Sequence, residues 1–517
     1  MASIGDAFRR LQERWPLRLI LIVGGAVAVL VIAAIVGAIV VSGGNDHKVA
    51  TKNRSATNAE APQAGEAQTT TPTEHLPAPG TPAAAAAASR AATSKQGGPT
   101  AGSAQPTTNV TLPSAEGATK VGLGADFIKW GLHAPQTFNG VPLPLATDPL
   151  EGVGIYLTEL NNAGGINGRK IQEVFADDRY TTDGAQQAAD KLVNDAKVFF
   201  ISGTLGVDQV AVVARAASES KPFPTPYMAA GASETQFKAE NIKMWQISGS
   251  YDTALIELAH FLGQQVKQAD SIYFGKKRIA VSVLDSKYII APVKEMQKAV
   301  QSTPGLEWAG YVTVPKYTDP SNTHNYADQI QKLKAMKPDI VIPAQDPLTT
   351  QLEVSQCVTQ GCTWKWSWAN FAHDEDISLR LANNGAGLWN RVRGLSAGCY
   401  YEDYNKGYPC GQLKAAHEKW VGVKGESDWS QHGQSGVSGY QIVHFWIKAI
   451  KDAGVDLTRE RMVAALNLYD HFDDTITGPI TFNKSANTVH GVDVWAVYEG
   501  QSNDHWKMIS KGLVGPF

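Results

Sequence analysis

The chain has 517 residues, of which 43% are hydrophobic, so it is too long for one ordinary domain and has enough apolar material for a large core. Its 46 basic and 49 acidic residues leave a formal net charge of −3 at pH 7. This balance leaves no excess of positive charge, which argues against nucleic acid as a partner.

The first distinctive element is an uncharged stretch from Leu19 to Val41, whose 23 residues are enough to cross a bilayer core of about 30 Å. A cleaved secretory signal is the alternative, but its apolar region usually has only about 7 to 15 residues. The arginines of the first 18 residues indicate that this side stays in the cytoplasm. We therefore predict a single-pass signal anchor in the cell membrane, with residues 1–18 cytoplasmic and the rest extracytoplasmic.

A second segment, residues 42–117, is dominated by Ala, Thr, Pro, Gly, Ser and Gln and has no aromatic residue. Such a composition buries too little apolar surface to offset the entropy of ordering. We predict a disordered linker, which as a flexible coil of about 75 residues would reach roughly 45 to 50 Å.

From Ala118 to Phe517 the sequence alternates apolar runs with amphipathic segments. The predicted strands are Lys120–Ala125, Lys170–Ala176, Val198–Gly203, Thr225–Ala230, Arg278–Leu284, Trp308–Val314 and Asp339–Pro343. The predicted helices cover Leu150–Leu160, Asp183–Asp195, Val207–Ser220, Thr253–Val266, Pro292–Gln301 and Tyr326–Met336. This alternation predicts two parallel α/β sheets with a ligand crevice at their strand ends.

Several motifs occur in a family-like order: LEGVGIYLTELNNAGGINGRKIQEVFADD from Leu150, KLVNDAKVFFISG from Lys191, YADQIQKLKAMKPDIVIPA from Tyr326, and TGPITFNKSAN from Thr477. Together they resemble type I periplasmic solute-binding proteins, the branched-chain amino-acid (leucine-binding protein) family of ABC transporter receptors. The resemblance implies a two-lobed clamshell. We place lobe I at about residues 118–250 and 399–485, and lobe II at about 251–398 and 486–517.

The resemblance also implies which residues bind the ligand. The first binding loop would contain Thr204, Leu205, Gly206 and Asp208, although the family usually has serines there. The second would contain Gly231, Ala232 and Ser233, with Ser233 either a ligand contact or only a helix cap. Tyr288 falls near the tyrosine that commonly covers the ligand, and Asn370 near the ammonium-binding glutamate. An amino-acid-like ligand is therefore possible, but its usual contacts are incomplete.

Two further groups of residues have competing interpretations. Gln345 and Asp346 follow a predicted strand end, so they either line the edge of the cleft or are ordinary exposed polar residues of a loop. Trp364, Trp366 and Trp368 alternate along a predicted strand. They either pack in the core or form a stacking wall for a larger, partly apolar or sugar-like ligand.

The four cysteines, Cys357, Cys362, Cys399 and Cys410, would lie in an oxidising compartment, which favours disulfides over a zinc site. Three pairings are possible, and we predict the local ones, Cys357 with Cys362 and Cys399 with Cys410. The acidic cluster at residues 373–376 is interpreted as a solvated helix start rather than a metal site.

No phosphate loop, zinc-protease motif or nucleophile elbow occurs in the sequence. We therefore expect a binding protein rather than an enzyme, with no cofactor and no metal. The leading hypothesis is a membrane-anchored solute-binding protein that closes over a small molecule and presents it to ABC permease subunits. The alternative is a ligand sensor or adaptor within a cell-envelope complex.

Overall fold

The computed structural model describes residues 112–114, 116, 118–229, 232–246, 250–319, 321–369, 391–396, 433–468, 471–472, 480–482, 490–492, 496–500 and 506–510. All of them belong to the second of the two units into which the chain divides, Ala104–Phe517. The predicted anchor and nearly all of the predicted linker lie outside the described residues. Within the described ranges, no helix combines the length and the apolar character that crossing a membrane requires.

The strands are distributed over two large sheets and two small ones. In chain order they are β1 (Phe127–Ala134), β2 (Thr137–Phe138), β3 (Val141–Pro142), β4 (Lys170–Asp177), β5 (Phe200–Gly203), β6 (Tyr227–Ala229), β7 (Trp245–Gln246), β8 (Lys277–Leu284), β9 (Leu306–Val314), β10 (Ile340–Ala344), β11 (Lys365–Ala369), β12 (Val392–Ser396), β13 (His471–Phe472), β14 (Ile480–Phe482), β15 (His490–Val492), β16 (Ala496–Gly500) and β17 (Trp506–Met508).

The helices alternate with the strands, as the sequence pattern predicts. They are α1 (Pro144–Asn162), α2 (Thr182–Ala189), α3 (Val207–Glu219), α4 (Glu234–Ala239), α5 (Tyr251–Gln265), α6 (Lys287–Ser302), α7 (Ala327–Met336), α8 (Pro347–Thr359), α9 (Gly433–Ala453) and α10 (Arg459–Leu468). Helix α2 continues as a π-helical segment over Asp190–Asp195, within a stretch predicted as one regular helix.

The two large sheets share one parallel topology. The first lobe has the strand order β4-β1-β5-β6-β7, and the second lobe has β17-β16-β12-β11-β10-β8-β9. In each, the second parallel strand in sequence pairs outside the first, which is the flavodoxin-like doubly wound order. Only β16 runs opposite to the other strands of the second sheet, and it pairs antiparallel with β12 and β17. The predicted α/β clamshell of two parallel sheets is confirmed.

A separate apolar cluster packs the outer face of the first sheet against α1, α9 and α10. The ring of Trp446 on α9 lies 5.1 Å from that of Trp130 on β1 and 4.9 Å from that of Phe200 on β5. These side chains are fully buried. Helix α9 therefore returns the chain to the first lobe after it has built most of the second.

The strand predicted at Lys120–Ala125 is wrong, because the segment turns back on itself. Gly122 has a φ of +76°, and its carbonyl oxygen accepts a hydrogen bond from the Lys129 N–H. The first strand instead covers Phe127–Ala134. Lys129 and Gly131 interrupt its apolar run, so the pattern did not predict a strand there. Left-handed backbone at a glycine favours a turn over a strand.

The helix predicted at Pro292–Gln301 starts five residues earlier, at Lys287. Proline is favoured at the first position of a helix, so the sequence pattern predicted that the helix starts at Pro292. Here the Ser286 side chain caps the helix by accepting a hydrogen bond from the Tyr288 N–H, and Pro292 lies inside it. The earlier start brings Tyr288 and Ile289 next to the first lobe.

Candidate ligand-binding cleft

A cleft that is partly open to solvent lies where the carboxyl ends of the two sheets face each other. Loops after β4 and β5 form the wall of the first lobe, with Tyr180, Leu205, Gly206, Val207, Asp208 and Gln209. The opposite wall contains Tyr251, Leu284, Ile289, Lys316, Tyr317, Thr318, Asp346 and Pro347. In doubly wound sheets, ligands bind at this end of the strands.

The first-lobe wall depends on glycine at position 206. Gly206 has a φ of +95° and immediately precedes α3. A Cβ placed there would lie 2.3 Å from Gln209 Oε1 and 3.0 Å from the Tyr180 ring. Both the backbone angle and the space therefore require glycine, which sets the direction in which α3 leaves the cleft.

Asp208, in the first turn of α3, joins the two walls. Its Oδ1 accepts a hydrogen bond of 2.9 Å from the Ser286 hydroxyl, and its Oδ2 lies 2.8 Å from Lys316 Nζ. Asp208 is 9% exposed, and Ser286 is 3% exposed. A partly buried charge pair with a second hydrogen bond is more strongly held than a surface pair. Asp208 is thus a contact between the lobes as well as part of the cleft wall.

Asp346 follows β10 and caps α8. Its carboxylate accepts hydrogen bonds from the N–H of Thr349 at 3.0 Å and from the Thr349 hydroxyl at 2.7 Å. The residue is 7% exposed, and burial raises the pKa of its carboxyl, although the hydrogen bonds from Thr349 act in the opposite direction. Asp346 therefore presents a desolvated carboxyl group at the cleft.

Gln345 lies behind Asp346 and away from the cleft lining. Its side-chain amide donates a hydrogen bond of 2.5 Å to Glu353 on α8, whose carboxylate also accepts from the Ser282 hydroxyl at 2.7 Å. All three residues are fully buried, and burial raises the pKa of Glu353. This polar cluster ties α8 to β8 and supports the segment that carries Asp346.

A buried network holds Tyr180, which lines the cleft. Asp178 Oδ1 accepts from the Tyr180 N–H at 3.0 Å, and its Oδ2 lies 2.8 Å from His133 Nδ1. A carboxylate only accepts, so Nδ1 of His133 carries the proton, and Nε2 lies 2.6 Å from the Tyr227 hydroxyl. The pKa of Tyr180 is raised by burial and, to a smaller extent, by nearby acidic groups that include Asp346, Tyr251 and Asp208.

Asp177 and Asp178, the two carboxylates at the end of β4, cap the turn that follows this strand. Asp177 accepts hydrogen bonds from the Thr137 hydroxyl at 2.6 Å and the Arg179 N–H at 2.9 Å. Asp178 accepts from the Tyr180 N–H. Each carboxylate therefore stabilises the turn after β4.

The structure brings four of the predicted site residues into the cleft lining: Leu205, Gly206, Asp208 and Asp346. Thr204 is half-buried next to them. Gly231 and Asn370 lie outside the described residues, as do Cys399, Cys410 and the acidic cluster at 373–376.

Ala232 and Ser233 have structural roles in this arrangement. The carbonyl oxygen of Ala232 accepts a hydrogen bond from the N–H of Tyr251, at the start of α5. The hydroxyl of Ser233 accepts from the Gln236 N–H and caps α4. Ser233 therefore shows the helix-capping role, which was one of its two interpretations.

Tyr288 lies beside the cleft, where it contacts the first lobe. Its hydroxyl donates to Glu240 Oε2 at 3.0 Å and accepts from Arg215 at 3.3 Å. Its ring lies 5.5 Å from that of Phe237 on α4. The position is suited to holding the lobes together.

Trp364, Trp366 and Trp368 pack in the core and do not line the cleft. They are 6%, 0% and 0% exposed and belong to the main apolar cluster, with rings 5.9 Å apart for the first two. Cys357 and Cys362 form the predicted local disulfide at the end of α8.

Tyr251, Lys316 and Tyr317 are cleft residues that the sequence reasoning missed. Lys316 and Tyr317 follow β9, so their place after a predicted strand end was the available signal. Tyr317 is fixed by its neighbours, since its ring stacks on His324 at 4.5 Å and contacts Phe138 at 5.9 Å.

Two parallel α/β lobes with a shared cleft at their strand ends define a two-lobed ligand-binding protein. The model of the periplasmic binding protein family matches residues 128–504, and the chain belongs to that family, in its type I branch. No curated protein matches the chain in sequence.

Solved structures show the same fold at low sequence identity. A fatty acid ABC transporter substrate-binding protein from Thermomonospora curvata is 17% identical, with a TM-score of 0.62 over 77% of this chain and 94% of that one. A leucine-binding protein from Thermotoga maritima is 14% identical, with a TM-score of 0.59 over 75% and 99%. An R. palustris solute-binding protein in complex with 4-hydroxybenzoate is 16% identical, with a TM-score of 0.60 over 76% and 98%.

Proposed function

We propose that this chain is an extracytoplasmic solute-binding protein, which captures a small organic molecule between its lobes and presents it to an ABC-type importer. The observation that carries the proposal is the cleft, whose walls come from both lobes and whose Asp208 already joins them. A ligand that contacts both walls favours the closed arrangement over the open one, which couples capture to a change in shape. Binding rather than catalysis is the proposed activity.

The attachment to the membrane is part of the same proposal. The segment Leu19–Val41 would be the anchor, and residues 42–117 the linker to the binding domain. The start of that domain is firmly held, since both carboxylate oxygens of Glu460 accept from the N–H of Thr119. A linker reach of roughly 45 to 50 Å would let the ligand-bound domain contact its permease while the chain stays anchored in the membrane.

Ligand capture is tested with the full chain, purified in detergent, against amino acids, amines, carboxylic acids, sugars and peptides in a thermal-shift screen. A ligand at 100 times its dissociation constant stabilises the folded state by about 2.7 kcal/mol through mass action. The variant Leu205→Trp, which fills the cleft, should lose the shift, whereas Leu468→Trp on exposed α10 should keep it. A folded protein that responds to no compound would count against solute binding.

The anchor is tested separately by fractionation of cells that express the full chain. The protein should stay in the membrane pellet after alkaline washing, and external protease should release the binding domain. A variant without residues 1–41 and with a cleavable signal should become soluble. Recovery of the intact chain in the soluble fraction would contradict the anchor and leave the binding proposal untouched.

A further inference from the structure

We propose that the ligand is an organic cation with an apolar or aromatic body, and that its ammonium group pairs with Asp346. This inference rests on the proposed solute-binding function and names the class of ligand for the same cleft. It follows from the balance of charge in the lining and from the kinds of side chain that surround Asp346.

The cleft lining contains two carboxylates and one ammonium group. Asp208 and Lys316 are paired with each other at 2.8 Å, so their charges already have partners. Asp346 is left with neutral donors from Thr349. Among the described residues, no Lys, Arg or His nitrogen lies within 4.0 Å of its carboxylate.

Asp346 is well placed to attract a cation. It is only 7% exposed, so little water screens its charge. As the cap of α8 it also receives hydrogen bonds that favour the ionised form. A buried carboxylate without a counter-ion gains more from a cationic partner than an exposed one does, because desolvation has already weakened its interaction with water.

The rest of the lining suits the body of such a ligand. Tyr180, Tyr251 and Tyr317 supply aromatic surface, which also interacts favourably with ammonium groups. Leu284, Ile289 and Pro347 supply apolar surface. The ligand expected from these contacts is an alkyl- or arylammonium compound, with its charged end at Asp346 and its body against the tyrosines.

An anionic ligand fits this lining poorly. Its carboxylate would meet two carboxylates, and Lys316 could serve it only by giving up Asp208. The carboxylates of Asp178, Asp208 and Asp346 act on Tyr180 at the same wall, and like charges disfavour an anion there. An α-amino acid is the intermediate case, because its ammonium group is accommodated while its carboxylate has no free cation in the described lining.

The test uses calorimetry on the full chain with matched pairs, of which 2-phenylethylamine and 3-phenylpropionate are one. We expect members of the amine series to bind at least about tenfold more tightly than their carboxylate partners. Asp346→Asn should weaken amine binding by about tenfold or more, since a charge-assisted contact is lost. Asparagine is also a good helix cap, so this variant should keep its fold.

Asp270→Asn is the matched control, because it makes the same change of charge at an exposed loop position. It should leave amine affinity unchanged. If the folded protein binds carboxylates or neutral compounds but no amine, or if Asp346→Asn binds amines normally, the ligand class is wrong and solute binding stands. If no compound of any class binds, both proposals fail.

Discussion

The Tyr288 hydroxyl of the second lobe donates a hydrogen bond of 3.0 Å to the carboxylate of Glu240 in the first lobe. Lys287 Nζ lies 2.6 Å from the other oxygen of the same carboxylate, and Arg215 also pairs with it. Glu240 therefore holds charged and polar groups from both lobes. These contacts lie outside the cleft lining, so they favour lobe contact without occupying the ligand site.

Replacing Tyr288 with Phe should weaken lobe closure while keeping the ring packed on Phe237. A hydrogen bond to a charged group contributes about 1.5 to 3 kcal/mol, which sets the upper range of the effect. We expect a larger radius of gyration by small-angle X-ray scattering without ligand, and weaker ligand binding. Tyr311→Phe on β9 is the control and should change neither. An unchanged radius and affinity in Tyr288→Phe would show that the contact does not govern closure.

Acid should open the lobes through Glu240. Partial burial acts to raise the pKa of Glu240, but hydrogen bonds from Lys287, Gln236, Arg215 and Tyr288 lower it from 4.5 to about 2. A carboxyl group with a depressed pKa contributes its stabilisation above pH 4.5 and loses it as the pH falls towards 2. The radius of gyration should therefore increase between pH 4.5 and 2, and this increase should be absent from Glu240→Gln. If Glu240→Gln shows the same increase, groups other than Glu240 cause the opening.

Periodicity was enough to predict the alternating sheets, because buried parallel strands such as β8 and β10 are continuous apolar runs. The predictions were wrong where a single residue type was ambiguous. Gly122 permits a turn inside an apolar run, and Pro292 is compatible with both a helix start and a helix interior.

The cleft was only partly predictable for a different reason. Asp208 and Asp346 follow strand ends in a recognisable pattern, so the sequence indicated them. Lys316 also follows a strand end but was not singled out, whereas Tyr251 enters the cleft through the way the two lobes meet, which local patterns do not encode. The position of Tyr288 likewise depends on Glu240, a residue 48 positions away in the sequence.

Gly203→Ala should destabilise the first lobe. A Cβ at this position would lie 2.3 Å from the Tyr227 hydroxyl and 2.5 Å from His133 Nε2, both of which are fully buried. Overpacking of this kind costs about 1 to 3 kcal/mol. Gly154→Ala, in open space on α1, is the opposite case and should stabilise the protein by up to about 1 kcal/mol. Chemical denaturation of both variants measures the change in the free energy of unfolding. An unchanged free energy in Gly203→Ala would show that Tyr227 and His133 can move aside without loss of stability.

Loss of the Cys357–Cys362 disulfide should lower stability without changing the fold. The bridge closes a loop with a sequence separation of 5, for which the chain-entropy model gives about 2 kcal/mol. Cys357→Ser with Cys362→Ser should lower the melting temperature, and a reductant should lower that of the unmodified protein by at least as much, because it would also reduce the predicted Cys399–Cys410 bridge. An unchanged melting temperature in the double variant would contradict the stabilising role of the Cys357–Cys362 bridge.

Asp178→Asn should have a far larger effect than Asp177→Asn, although the two residues are neighbours. Asp178 is fully buried, and its carboxylate accepts hydrogen bonds from His133 and from the Tyr180 N–H, so the change weakens two buried hydrogen bonds to a charged group, each at a cost of about 1.5 to 3 kcal/mol. Asp177 is only half-buried and caps the turn from outside, so its replacement should cost about 1 kcal/mol. Urea denaturation gives both free energies of unfolding. Because Tyr180 lines the cleft, Asp178→Asn should also weaken ligand binding under conditions where the variant stays folded. Equal costs for the two variants would contradict the supporting role of the buried network.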